Sequence, residues 1–135
     1  IVRTFQLNAN GTEFTRLIRN ENQFCNLLLS FLEKKPSVAN IQALEKGTLL
    51  TISLENFRKL IAESETAKNI YTKILEDFEN FHLKRLEFLT SYSPKEKTEI
   101  FLKDYAFLEP RLTDKVIASY LQISPETYCR CKKSL

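Results

Sequence analysis

Residues 114–133 read DKVIASYLQISPETYCRCKK, and the way this stretch folds decides how the rest of the chain is read. Val116, Ile117, Ala118 and Leu121 have helical apolar spacing, with the small Ala118 where two helices would approach closely. Ile123 is placed to anchor a turn. Beyond it, Ser124 is an N-cap residue and Pro125 suits the first helical position, while Tyr128, Cys131 and Leu135 recur as the expected buried stripe of a second helix. The opposite face carries Glu126, Thr127, Arg130, Lys133 and Ser134. Two short helices, a tight turn and a polar outer face make up the helix-turn-helix pattern, whose second helix sets its first turns against base edges in the major groove. Two helices that merely pack together, and never meet DNA, give the same pattern.

The candidate DNA-contacting residues are Ser124, Glu126, Thr127, Arg130, Lys132 and Lys133. Glu126 and Arg130 are four apart and share a helix face; the carboxylate can accept from a cytosine amino group and the guanidinium can donate twice to guanine. They could instead pair with each other. Lys132 and Lys133 suit phosphates. From Arg111 onward, five basic residues (Arg111, Lys115, Arg130, Lys132, Lys133) oppose two acids (Asp114, Glu126), and 5 minus 2 gives the whole chain's net +3. A solvated basic tail would show the same surplus.

Working outward, Ala67, Tyr71, Ile74, Phe78, Phe81, Arg85 and Phe88 alternate steps of four and three along one long predicted helix, about Ser64 to Ser91. That is a coiled-coil seam. Ile70, Leu75, Leu86 and Leu89 widen it, so one stripe can face the rest of the chain while the other meets the same helix of a second copy. A core helix that buries both stripes in one chain is the alternative.

The chain resembles the Crp/Fnr regulators, relatives of the cyclic-AMP receptor protein. Their second helix is similar to S-x-E-T-x-x-R, matched here by Ser124, Glu126, Thr127 and Arg130, and three further features follow the family order. A strand pair and short helix (39–62) precede the long helix, and a linker helix opens with Ser93-Pro94-Lys95-Glu96. The resemblance implies an α+β chain in three parts. Residues 1–63 would be the later portion of an effector-binding β-roll, 64–92 a dimerisation helix, and 93–135 a winged-helix-like DNA-binding domain. The partners it implies are a palindromic DNA operator, a second copy, RNA polymerase and a small-molecule effector of unknown identity. The chain departs from the family in having Gln122 at the usual turn glycine, where a left-handed backbone costs about 1 kcal/mol, and Pro125 at an often basic place.

The family's nucleotide pocket uses a Gly-Glu pair and an Arg followed by a small residue. The equivalent segment here reads Gln23-Phe24-Cys25-Asn26-Leu27-Leu28-Leu29-Ser30, then Lys34-Lys35-Pro36-Ser37-Val38-Ala39. With neither pair present, a cyclic phosphodiester lacks its bidentate partner and no cyclic-AMP response is expected. Arg3 to Leu7 and Thr12 to Ile18 flank Asn8-Ala9-Asn10-Gly11 as one hairpin, and Ile41 to Leu44 and Leu49 to Ile52 flank Glu45-Lys46-Gly47 as a second. Four strands make a poor barrel, so earlier strands are expected upstream of Ile1.

At 135 residues and 43% hydrophobic the chain can bury a core. No apolar run reaches the roughly 20 residues that span a bilayer, and no secretory leader opens the chain, so a cytoplasmic protein is expected. Three cysteines, with Cys129 and Cys131 pointing apart on one helix, argue against a disulfide framework. His82 has only Glu76 and Glu79 near it at helical spacing, and two glycines cannot form a phosphate-cradling loop. No catalytic residue, metal or cofactor is therefore expected. The reading is a homodimeric, sequence-specific DNA-binding transcription regulator. The alternative is a ligand-sensing or protein-interaction module whose degenerate helix-turn-helix does not read DNA.

Overall fold

The computed structural model describes residues 1–135. It is an α+β arrangement of a three-stranded antiparallel sheet and six α-helices. β1 (Val2–Leu7) and β2 (Glu13–Arg19) form the expected hairpin, closed by Asn8 to Thr12, where Gly11 takes φ +75°. After α1 (Leu28–Glu33), β3 (Ala39–Ala43) pairs with the free edge of β1, giving the strand order β2-β1-β3.

The expected second hairpin is not formed. Residues 49–52 make no strand, and β3 runs antiparallel to β1, with Val2 opposite Ala43. The Leu44 amide continues the β1–β3 pairing by donating to the Ile1 carbonyl at 2.9 Å, and the Glu45 carboxylate beyond it is held by Arg111.

α2 (Leu54–Glu63) is capped by Ser53 and α3 (Glu65–Ser91) by Ser64, whose hydroxyl accepts from the Ala67 amide at 3.2 Å. At 1.5 Å per residue α3 is about 40 Å long. α4 (Pro94–Asp104) opens with a capping box: the Ser93 amide donates to the Glu96 carboxylate at 2.8 Å and the Glu96 amide to the Ser93 hydroxyl at 3.4 Å. A single 3-10 turn at Glu109–Arg111 leads to α5 (Asp114–Leu121) and α6 (Pro125–Lys133).

The best-packed part of the molecule is its C-terminal third. Phe101, Ile117, Ala118, Tyr120, Leu121 and Tyr128 form the central buried cluster, with Ile18, Phe88 and Ile123 against it. α5 is the hub: α4, α6 and β2 all pack on it, and Ile117, Ala118 and Leu121 are fully buried. The sheet is fixed there by polar contacts. The Thr15 amide donates to the Ser119 hydroxyl at 2.8 Å, and that hydroxyl lies 3.1 Å from the Glu13 carbonyl, to which it donates.

Candidate functional site

α6 holds the residues singled out from the sequence, and its two faces differ as the spacing predicts. Tyr128 and Cys131 are buried against α4 and α5, whereas Glu126, Arg130 and Lys133 are exposed. Leu135 corrects the expected stripe. It is 53% exposed, because α6 ends at Lys133 and Ser134 already has non-helical φ −96°, ψ 0°, so helical spacing no longer places Leu135.

The N-terminus of α6 uses up two of the candidates. The Ser124 hydroxyl accepts from the Thr127 amide at 3.1 Å and donates to the Thr127 hydroxyl at 3.1 Å. These contacts set the helix start. The Glu126 carboxyl is held below the usual carboxylate range by backbone N–H bonding in the first turn and by the Ser124 hydroxyl, so it is a firm acceptor. No ion pair joins Glu126 to Arg130; the ten ion pairs of the molecule leave out Lys115, Arg130 and Lys133 altogether.

Lys132, expected at a phosphate, is engaged elsewhere. Its amine donates to Glu109 and lies 3.6 Å from Asp114, and the bond to Glu109 raises its pKa. Arg111 is likewise committed, to Glu21 and Glu45. Two of the five basic residues at this end of the chain therefore hold the molecule together. Arg130 and Lys133, with Asp114, Pro125, Glu126 and Cys129, line an open groove of about 660 Å³ beside α6.

The turn between α5 and α6 makes the conformation that its sequence resists. Gln122 is left-handed, at φ 53°, ψ 47°, and its amide caps the end of α5 on the carbonyls of Ala118 and Ser119. Pro125 stands at the start of α6, where its missing amide proton costs nothing.

Part of the α3 seam touches its own chain. Tyr71 meets the Phe57 ring edge-on at 5.0 Å, Phe81 lies 5.2 Å beneath the Arg19 guanidinium, and Phe88 packs on the central cluster. Ala67, Ile74 and Phe78 are half-buried along the same face. Arg85, the polar member of the seam, is buried; one of its nitrogens donates to the Tyr120 carbonyl at the end of α5, and its guanidinium lies 3.8 Å over the Tyr120 ring. Burial lowers the Arg85 pKa, and burial raises that of the Tyr120 hydroxyl to about 12. Nothing in the sequence marked Arg85 as the link between α3 and α5, since a charged seam residue reads equally well as a contact to a second copy. The apolar residues of α3 that stay exposed are Ile70, Leu83 and Leu86. His82 packs against Phe78 and Phe81, and burial lowers its pKa.

In the Lys34-Lys35-Pro36 segment, Lys34 ends α1 with a left-handed backbone and Lys35 pairs with Glu33 at 2.8 Å. No helix is long and apolar enough to cross a membrane. No family model matches the chain, and no curated protein matches it in sequence.

Proposed function

We propose that this chain is a sequence-specific DNA-binding regulator of the Crp/Fnr type, acting as a homodimer, in which α5 and α6 form the helix-turn-helix and α6 is the recognition helix. One observation carries the reading. α6 is pinned by Ser124 at its start and by Tyr128 and Cys131 along its inner face, which leaves Glu126, Arg130 and Lys133 exposed together and without an ion-pair partner. A rigid helix presenting an acceptor, a planar bidentate donor and a point cation within two turns can read base edges and hold a phosphate. Lys133 is the phosphate contact, and Lys132 is engaged by Glu109 and Asp114. The three-stranded sheet stands for part of a β-roll in this reading, and the residues in the nucleotide-pocket segment suit no cyclic nucleotide.

The seam Ala67 to Phe88 is the dimer face in this reading. Ala67, Tyr71, Ile74 and Phe78 are only half-buried within one chain and remain for a second copy, while Arg85 is engaged with α5. A signal reaching α3 would pass to α5 through Arg85. The competing reading, a protein-interaction module that has lost DNA readout, draws on the two basic side chains committed internally and on Asp114 and Glu126 in the same groove.

The test separates the two basic residues by role in mobility shifts on a selected operator. If Arg130 reads guanine, Arg130→Ala costs about 1–3 kcal/mol on the operator and relaxes preference at one base pair per half-site. Lys133→Ala weakens operator and unrelated duplex alike and flattens the salt dependence by about one unit. Equal losses of specific and non-specific binding from both substitutions would leave a basic helix end without base readout, and the reading would fail.

A further inference from the structure

A second groove, of about 810 Å³, lies at the start of α6, between two segments more than 100 residues apart in sequence. One wall is the tip of the β1–β2 hairpin (Asn8, Gly11, Thr12, Glu13, Phe14) and the other is the α5–α6 turn with Lys115 and Ser119. We propose that the hairpin tip is a second DNA-contacting surface, meeting the sugar–phosphate strand that borders the major groove entered by α6. The proposal rests on α6 being the recognition helix.

Geometry supplies the first argument. A helix lying in a groove roughly 12 Å wide has a phosphate strand on either side of it. Any element fixed beside the first turn of that helix faces one of those strands. The hairpin is fixed there: β2 packs on α5, and the Ser119 hydroxyl ties both the Thr15 amide (2.8 Å) and the Thr15 hydroxyl (3.0 Å) to the helix. Ser119 is part of the groove wall, so the tip cannot swing away without breaking these bonds.

The tip is also built to hold its shape. The Asn8 carboxamide oxygen accepts from the amides of Asn10 (3.0 Å) and Thr12 (2.9 Å), and the Asn8 amide donates to the Thr12 carbonyl at 3.0 Å. A preformed tip loses little freedom on contact. The Asn10 side chain is left exposed at its apex, and amide and hydroxyl side chains are ordinary phosphate donors.

Charge favours a polyanion. Lys115 is exposed and unpaired, while the one carboxylate of the wall, Glu13, is bound at 2.6 Å by Arg3. An acidic peptide would also be drawn by Lys115, but a peptide gives no reason for the groove to sit at the first turn of α6.

The experiment measures duplex affinity against salt for the chain carrying Asn10→Lys, Asn10→Glu, or the control pair Asn40→Lys and Asn40→Glu. Asn40 is exposed on β3, the sheet edge away from α5. Asn10 has ordinary negative φ, so its replacements fit the tip. The expected result is that Asn10→Lys tightens binding to operator and unrelated duplex alike and steepens the log–log salt dependence by about 0.9. Asn10→Glu should weaken both severalfold, with the Asn40 variants unchanged. If the Asn10 and Asn40 variants behave alike while Arg130→Ala still relaxes base preference, the hairpin is not a contact and only this inference falls. If the unmodified chain retains no duplex, the recognition-helix reading falls and takes the inference with it.

Discussion

Tyr128 is the largest fully buried side chain, and its hydroxyl has no hydrogen-bond partner. Burial raises its pKa. Because an unsatisfied buried hydroxyl costs about 1–3 kcal/mol, Tyr128→Phe should leave stability unchanged or raise it by about 1 kcal/mol, which urea unfolding would read. A clear loss would mean that the hydroxyl has a partner such as a bound water. Arg111 gives the opposite kind of residue. It holds the Glu21 carboxyl down at about 2, against an ordinary 4.5, and pulls Glu45 down as well. A depressed carboxylate pKa contributes stability above its unfolded value that is lost as pH falls through the folded one. Wild-type stability should therefore fall between about pH 4.5 and 2. Arg111→Gln should start lower at neutral pH, fall less steeply, and meet the wild type near pH 2. Glu21 is well exposed, so added salt should shrink the difference.

Among the elements, the α5–α6 turn makes the sharpest prediction. A left-handed Gln122 costs about 1–2 kcal/mol relative to glycine, so Gln122→Gly should stabilise by about 1 kcal/mol after the added freedom of the unfolded chain is discounted. A destabilised variant would mean that the Gln122 side chain makes a contact that outweighs the strain. That turn was legible in the sequence, as were the starts of α3, α4 and α6, where Ser64, Ser93 and Ser124 each accept from the amide three residues on. Such local chemistry is carried by neighbouring residues. What was not legible depended on distant ones. The strand expected at 49–52 is absent, and Glu45 just before it is paired with Arg111, 66 residues away. Lys132 and Arg85 were read as outward-facing because nothing near them in sequence names Glu109 or the Tyr120 carbonyl as a partner. The docking of the hairpin on Ser119 had no sequence signal at all, since Thr15 and Ser119 are 104 residues apart.

Across the whole molecule, the buried apolar residues concentrate from Phe101 onward, and the sheet is held to that unit through Ser119, Arg111 and Ile18. Sheet and α6 should therefore move as one body, with α3 joined to it at Arg85. A dimer of such bodies would present two copies of α6, and the account requires their spacing to match two half-sites about one helical turn, roughly 34 Å, apart. The most direct measurement is selection of duplexes from a random-sequence pool by the unmodified chain, followed by sequencing of what is retained. The account predicts enrichment of an inverted repeat with that half-site spacing, containing a guanine position at which the Arg130→Ala protein loses preference. Retention of duplexes with no sequence enriched over the starting pool would contradict it.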